Sequence, residues 1–196
     1  IYDFETLGTN ANNCVVLCCA KCEFSFDEEP SYEKFMKRST VIFFDVDEQV
    51  NKYSYQIEKD TCDWWKNEVN EKTRNLVFSS KDLKKSVSDF PDFIGKENFD
   101  ALYFSRGQGF DFDILCRLLK DQNCNDSEYV PFYNTRDTRS FIDGMSIGLD
   151  LKNSFIPFGY AGIPETKKDI DLHHPKVDIV IDILRLLYLH QSILSE

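Results

Sequence analysis

Two apolar runs open the chain, Ile1 to Leu7 and Val15 to Phe24, with the polar turn Gly8-Thr-Asn-Ala-Asn-Asn between them. A link this short joins strands that run antiparallel, so the chain is committed at once to a sheet. Further along, Val41-Ile-Phe-Phe-Asp-Val, Asp100-Ala-Leu-Tyr-Phe and Pro131-Phe-Tyr read as three more strands. Helical segments are expected from Thr61 (as N-cap), from Ser80 toward Ile94 with a break at Pro91, and over Phe110–Leu119, Thr135–Ile147 and Lys176–Leu194. Asn153 to Asp171, with Pro157, Gly159, Gly162 and Pro164, reads as a loop. Strands early and helices late, with alternation in the second half, predict an α/β fold: a mixed five-stranded sheet flanked by helices.

Composition narrows the function. Against 23 Lys and Arg stand 34 Asp and Glu, a net charge of −11, so nucleic acid is repelled on average. Any chemistry on DNA or RNA then needs locally concentrated basic residues or metal ions that offset the carboxylates. A hydrophobic share of 42% is enough for a packed core and excludes global disorder. The apolar stretches fall far short of the roughly 20 residues of a membrane helix. No basic start followed by an apolar run suggests a signal peptide, and an initiator methionine is expected ahead of Ile1. The seven cysteines are an odd count for a disulfide framework and read as reduced thiols, which points to the cytoplasm. Cys14, Cys18, Cys19 and Cys22 raise the question of zinc, and a metal or redox protein built on them is one rival reading. A strand turns Cys18 and Cys19 to opposite faces, which argues for small buried residues instead.

Several acids are placed to do chemistry. Asp3 and Glu5 share one face of the first strand, their Cα atoms about 6.5–7 Å apart. They are either a solvated stripe or a pair that needs a cation between them. Asp111 follows Arg106-Gly-Gln-Gly-Phe where a strand yields to a helix, the usual ligand-binding position in open α/β sheets; a helix-start aspartate is the plain alternative. His173 and Asp178 frame the start of the last helix, and imidazole is suited to take a proton near neutral pH. On the residues alone, His174 competes with His173, and Asp182 with Asp178, although Asp182 is also a natural partner for Arg185. Arg106, Arg136 and Arg139 are candidates to grip phosphate or to pair with surplus acids. Of Trp64 and Trp65, one is expected to stack on bases and the other to sit in the core, because adjacent helical positions point about 100° apart.

Taken in order, Asp3-Phe-Glu-Thr, Phe110-Asp111, and His173 with Asp178 five residues later resemble the DEDDh family of 3′→5′ exonucleases, its phage members most of all. Asp63-Trp-Trp-Lys-Asn, Arg106 to Leu115, Phe132-Tyr-Asn-Thr-Arg-Asp-Thr-Arg and Asp178-Ile-Val-Ile-Asp-Ile-Leu carry the likeness along nearly the whole chain. The resemblance implies an RNase H-like fold with residues 1–196 as a single exonuclease domain. It implies that Asp3, Glu5, Asp111 and Asp178 hold two Mg²⁺ or Mn²⁺ ions, about 3.5–4 Å apart in such sites, and that His173 is the general base. Thr6 and Leu7 fall where the family holds the terminal nucleotide, and Arg106 is added as a substrate contact. The expected reaction is release of nucleoside 5′-monophosphates from DNA 3′ ends, single-stranded DNA being the expected partner. A 3′→5′ exoribonuclease and a catalytically silent nucleic-acid-binding module are the alternatives.

Overall fold

A computed structural model describes residues 1–78, 83–96, 100–152 and 155–195. Strand β1 (Tyr2–Thr6) pairs antiparallel with β2 (Val16–Lys21), and β2 with β3 (Thr40–Phe44). A two-residue strand β4 (Lys84–Lys85) adds in parallel to the outer edge of β3. Helices α1 (Tyr32–Arg38), α2 (Val46–Tyr53), α3 (Lys59–Glu68), α4 (Glu71–Phe78) and α5 (Phe90–Ile94) fill the connections. Strand β5 (Tyr103–Ser105) leads through a wide π turn, Gln108–Phe112, into α6 (Asp113–Asp121). It pairs in parallel with β6 (Thr135–Asp137), which runs directly into α7 (Thr138–Ile147). Helix α8 (Pro175–Leu194) closes the described fold.

The expected single five-stranded sheet is not what forms. The described residues make a four-stranded sheet in the order β1-β2-β3-β4 and a separate two-stranded ladder β5-β6, with β5 lying against β1. Pro131-Phe-Tyr is not a strand. Residues Phe132–Asn134 make a 3₁₀ turn and the ladder begins at Thr135, so strand and helix meet at Asp137, whose carboxylate caps α7 by accepting the Ser140 N–H at 2.7 Å. Thr61 is not an N-cap, because α3 starts two residues earlier behind Glu58. The predicted helix start at Ser80 lies outside the described residues, and within 83–94 only Phe90–Ile94 is α-helical.

Alternation in β1 splits the molecule into two cores. Tyr2 and Phe4 face a core completed by Trp65, Val77, Phe90 and the α6 residues Ile114, Leu115, Leu118 and Leu119. On the other face, Ala20, Cys22 and Phe35 pack against Val177, Val180, Ile181 and Leu184 of α8. Asp3 and Glu5 have the opposite parity to Tyr2 and Phe4, so β1 directs them toward α8. The register slips between Glu5 and Thr6, and the amide of buried Gln49 mends the gap, accepting from Val16 N and donating to Val16 O, each at 2.8 Å. Cys14, Cys18, Cys19 and Cys22 are free, buried strand-region thiols. Among the described residues the one group able to hold a metal contains no cysteine, which leaves a cysteine-built metal site without support. No described helix is long and apolar enough to cross a membrane.

Candidate active site

Three elements bring acidic groups within electrostatic range of one another. From β1 come Asp3 and Glu5; from the π turn after β5 comes Asp111; from the start of α8 come His173 and Asp178. Ligand atoms of Glu5, His173 and Asp178 lie within 4.8 Å of one another. Asp3 and Asp178 line a cavity of about 40 Å³ together with Arg106 and Asp182, room for a single small occupant such as a water. Asp111 is 4% exposed and accepts the Phe4 N–H, which ties the turn after β5 to the back of β1.

So many acids in one place are electrostatically costly. Burial pushes the Asp111 carboxyl up to about 7, against the Phe4 N–H bond. Burial and the charge of Asp182 push Asp178 up to about 7 as well, against the His173 N–H and Arg106. Asp3 is raised well above its usual range by burial and then by Asp111, Glu5 and Asp178, and Glu5 by burial and then by Asp178 and Asp111. Carboxylates that repel one another, eased by Arg106 at Asp178 and by Arg139 at Asp111, still present hard oxygens, the donor set that suits Mg²⁺ or Mn²⁺.

The geometry separates residues that the sequence left equivalent. The His173 N–H donates to Asp178 Oδ2 at 3.1 Å, and its Nδ1 stands 3.9 Å from the same oxygen. Burial lowers the affinity of this imidazole for a proton. His174 instead caps α8, its Nδ1 accepting the Lys176 N–H at 3.2 Å, and lines a different groove with Met36 and Leu76. Asp182, one turn beyond Asp178, is saturated: Arg106 grips it through two bonds of 2.8 and 2.5 Å, and Arg185 adds a third at 3.1 Å. Arg106, expected as a substrate contact, is engaged with this internal carboxylate and also lines the small cavity with Asp3 and Asp178. Leu7, the other expected contact, has its side chain 5% exposed and packed in the core. Thr6 does line an open cavity of about 680 Å³ next to Glu5, with Thr9, Glu58, Thr61, Trp64, Trp65 and Phe110. Trp65 is the core member of the tryptophan pair, 2% exposed, and Trp64 the exposed one. Arg139 is exposed and near enough to Asp111 to act on it electrostatically. Arg136 is turned back on the carbonyls of Tyr133 and Thr135.

Residues 1–161 match the family described as the Rv2179c-like 3′-5′ exoribonuclease domain. The chain belongs to that family. It is also 28% identical to the protein named "Exodeoxyribonuclease" of Enterobacteria phage T4, over 96% of this chain and 87% of the phage protein. No solved structure matches. The family description gives a 3′-5′ exonuclease and the relative's name an exonuclease, so the chain is a 3′-5′ exonuclease acting on nucleic acid, and exonucleases of this kind depend on divalent metal. The family match stops short of His173 and Asp178, which α8 nonetheless carries into the hollow.

Proposed function

We propose that this protein is a DEDDh-type exonuclease that removes nucleoside 5′-monophosphates from the 3′ ends of single-stranded DNA. The convergence of Glu5, Asp178 and His173, with Asp3 and Asp111 at its edge, carries this reading. Asp3, Glu5, Asp111 and Asp178 would hold two Mg²⁺ or Mn²⁺ ions. Bound there, such ions neutralise the acids, polarise the scissile phosphate and make a water acidic enough to attack. The chain's own part is positional and protolytic. His173 accepts the water's proton, and Asp178, through the His173 N–H, holds the backbone that presents that imidazole. The open cavity beside Glu5 takes the terminal nucleotide, Thr6 at its floor and the Trp64 and Phe110 rings against the base. Phosphate therefore meets cations rather than acidic surface, which reconciles nucleic-acid binding with a net charge of −11.

Residues 1–196 act as one domain in this reading, because the site is incomplete without α8. The sheet is RNase H-like in it, with β5-β6 set against the β1 edge. DNA is favoured by the near full-length likeness to the phage protein. A 3′ RNA-trimming activity is the second reading, favoured by the family description. Product ladders on 3′- and 5′-labelled DNA and RNA oligomers, with Mg²⁺ and with EDTA, separate them. Stepwise loss from the 3′ end of DNA, abolished by EDTA, is expected. Digestion from the 5′ end or internal nicking overturns the polarity, and faster trimming of RNA selects the second reading.

A further inference from the structure

Trp64 is a large aromatic left 37% exposed beside a partner that is fixed. The next residue, Trp65, is buried, its indole N–H donating to the Thr6 carbonyl at 2.9 Å, and this locks the rotation of α3 relative to β1. The Trp64 ring is thereby held against the imidazole of His173, centroids 4.7 Å apart and planes at 86°, an edge-to-face contact. The same ring walls the 680 Å³ cavity next to Glu5.

His173 needs such a contact. Its backbone is in the left-handed region, φ 64, a conformation that a non-glycine residue keeps only when its surroundings impose it. Asp178 restrains that backbone through the N–H, but its carboxylate is 3.9 Å from Nδ1, beyond hydrogen-bond reach, and the imidazole side chain is 42% exposed. Asp178 therefore fixes where the ring is attached, not which staggered position it takes. Trp64 closes off part of that freedom, and it does so from the wall that a bound nucleotide would touch.

We infer that Trp64 is a positioning residue: it sets the orientation of the His173 imidazole and couples it to occupancy of the adjoining cavity. The inference rests on the reading of His173 as the proton acceptor. Misplacing a reacting group by about 1 Å can cost on the order of 10²-fold, so a restraint of this kind is expected to act on kcat more than on KM.

The test is a double-variant cycle on the full chain with Mg²⁺ and a single-stranded oligonucleotide, using Trp64→Leu, His173→Ala and both together, with Trp64→Met as a second small variant and Trp64→Phe as the conservative one. Trp64→Leu should lower kcat roughly 10–100-fold, Trp64→Phe should recover most of it, and in the His173→Ala background the loss should shrink to about twofold or less. The chain has only three histidines, so the His173 ring protons can be assigned by their loss in His173→Ala, and Trp64→Leu should shift them by removing the indole ring current. Multiplicative losses in the double variant, or unmoved His173 resonances, overturn the inference. If His173→Ala alone keeps full kcat, it is the proton-acceptor reading that fails, while the resonance shift still decides whether the two rings touch.

Discussion

The floor and the mouth of the acidic hollow are built from the same residue type on the same helix, and they behave oppositely. At the floor, Asp182 is 3% exposed and satisfied by Arg106 and Arg185. At the mouth, one turn earlier, Asp178 lies beside Glu5 and His173, and the charge of Arg106 eases it. The floor is a finished structural element, complete in the protein alone. The mouth is different: burial first, and neighbouring acids after it, raise Asp3, Glu5 and Asp178. Burial is common to floor and mouth, so what separates the two is the guanidinium grip on Asp182.

The largest effect that can break this contrast is on turnover. Asp111→Ala and Asp178→Ala should each abolish Mg²⁺-dependent hydrolysis of a labelled oligonucleotide, while thermal melting without divalent ions stays the same or rises, since each removes an acid from a repelling group. Retained activity in either variant places the chemistry elsewhere. Next in size, Asp182→Leu should destabilise the fold by about 3–5 kcal/mol in denaturant titration, because it removes the buried carboxylate that Arg106 and Arg185 both grip. A melt indistinguishable from the parent would put Asp182 in the same class as Asp178.

The smallest effect sharpens the contrast through pH. Asp111 and Asp178 sit near 7 in the fold against about 3.9 in an unfolded chain. A carboxyl raised by folding keeps its proton where the unfolded chain has lost it. Its contribution to stability is therefore full below about 4 and declines as pH climbs toward 7. In the absence of divalent ions the melting temperature should fall across that window. Adding Mg²⁺ should restore it, by a few degrees at pH 8 and by less at pH 5, where protons already fill the site. A larger Mg²⁺-induced rise at pH 5 contradicts the assignment of these acids as ion ligands.

What could be read from the sequence was what repeats or sits locally. Strand parity put Asp3 and Glu5 on one face, and Pro175 marked the start of α8. Short polar helices were missed: α1, α2 and α4 have seven or eight residues, about two turns, too few for a helical repeat to stand out from the sequence. Long-range partners left no local signal at all. Nothing near Arg106 announces Asp182, 76 residues away, and nothing near Gln49 announces the strand gap it fills at Val16. The Trp64–His173 contact is of the same kind, since it depends on how α3 docks on β1. For the tryptophan pair, sequence could say that one ring is buried and the other exposed, but not which.

The wide turn at Gln108–Phe112 carries a consequence of its own. A π turn holds one residue more than the α turn it replaces. Removing exposed Gly109 would let α6 wind regularly from its start, and Asp111 would swing by about 100° away from its neighbours. A lineage could then retire this activity through a single lost codon, keeping every acidic letter of its signature while the protein still folds.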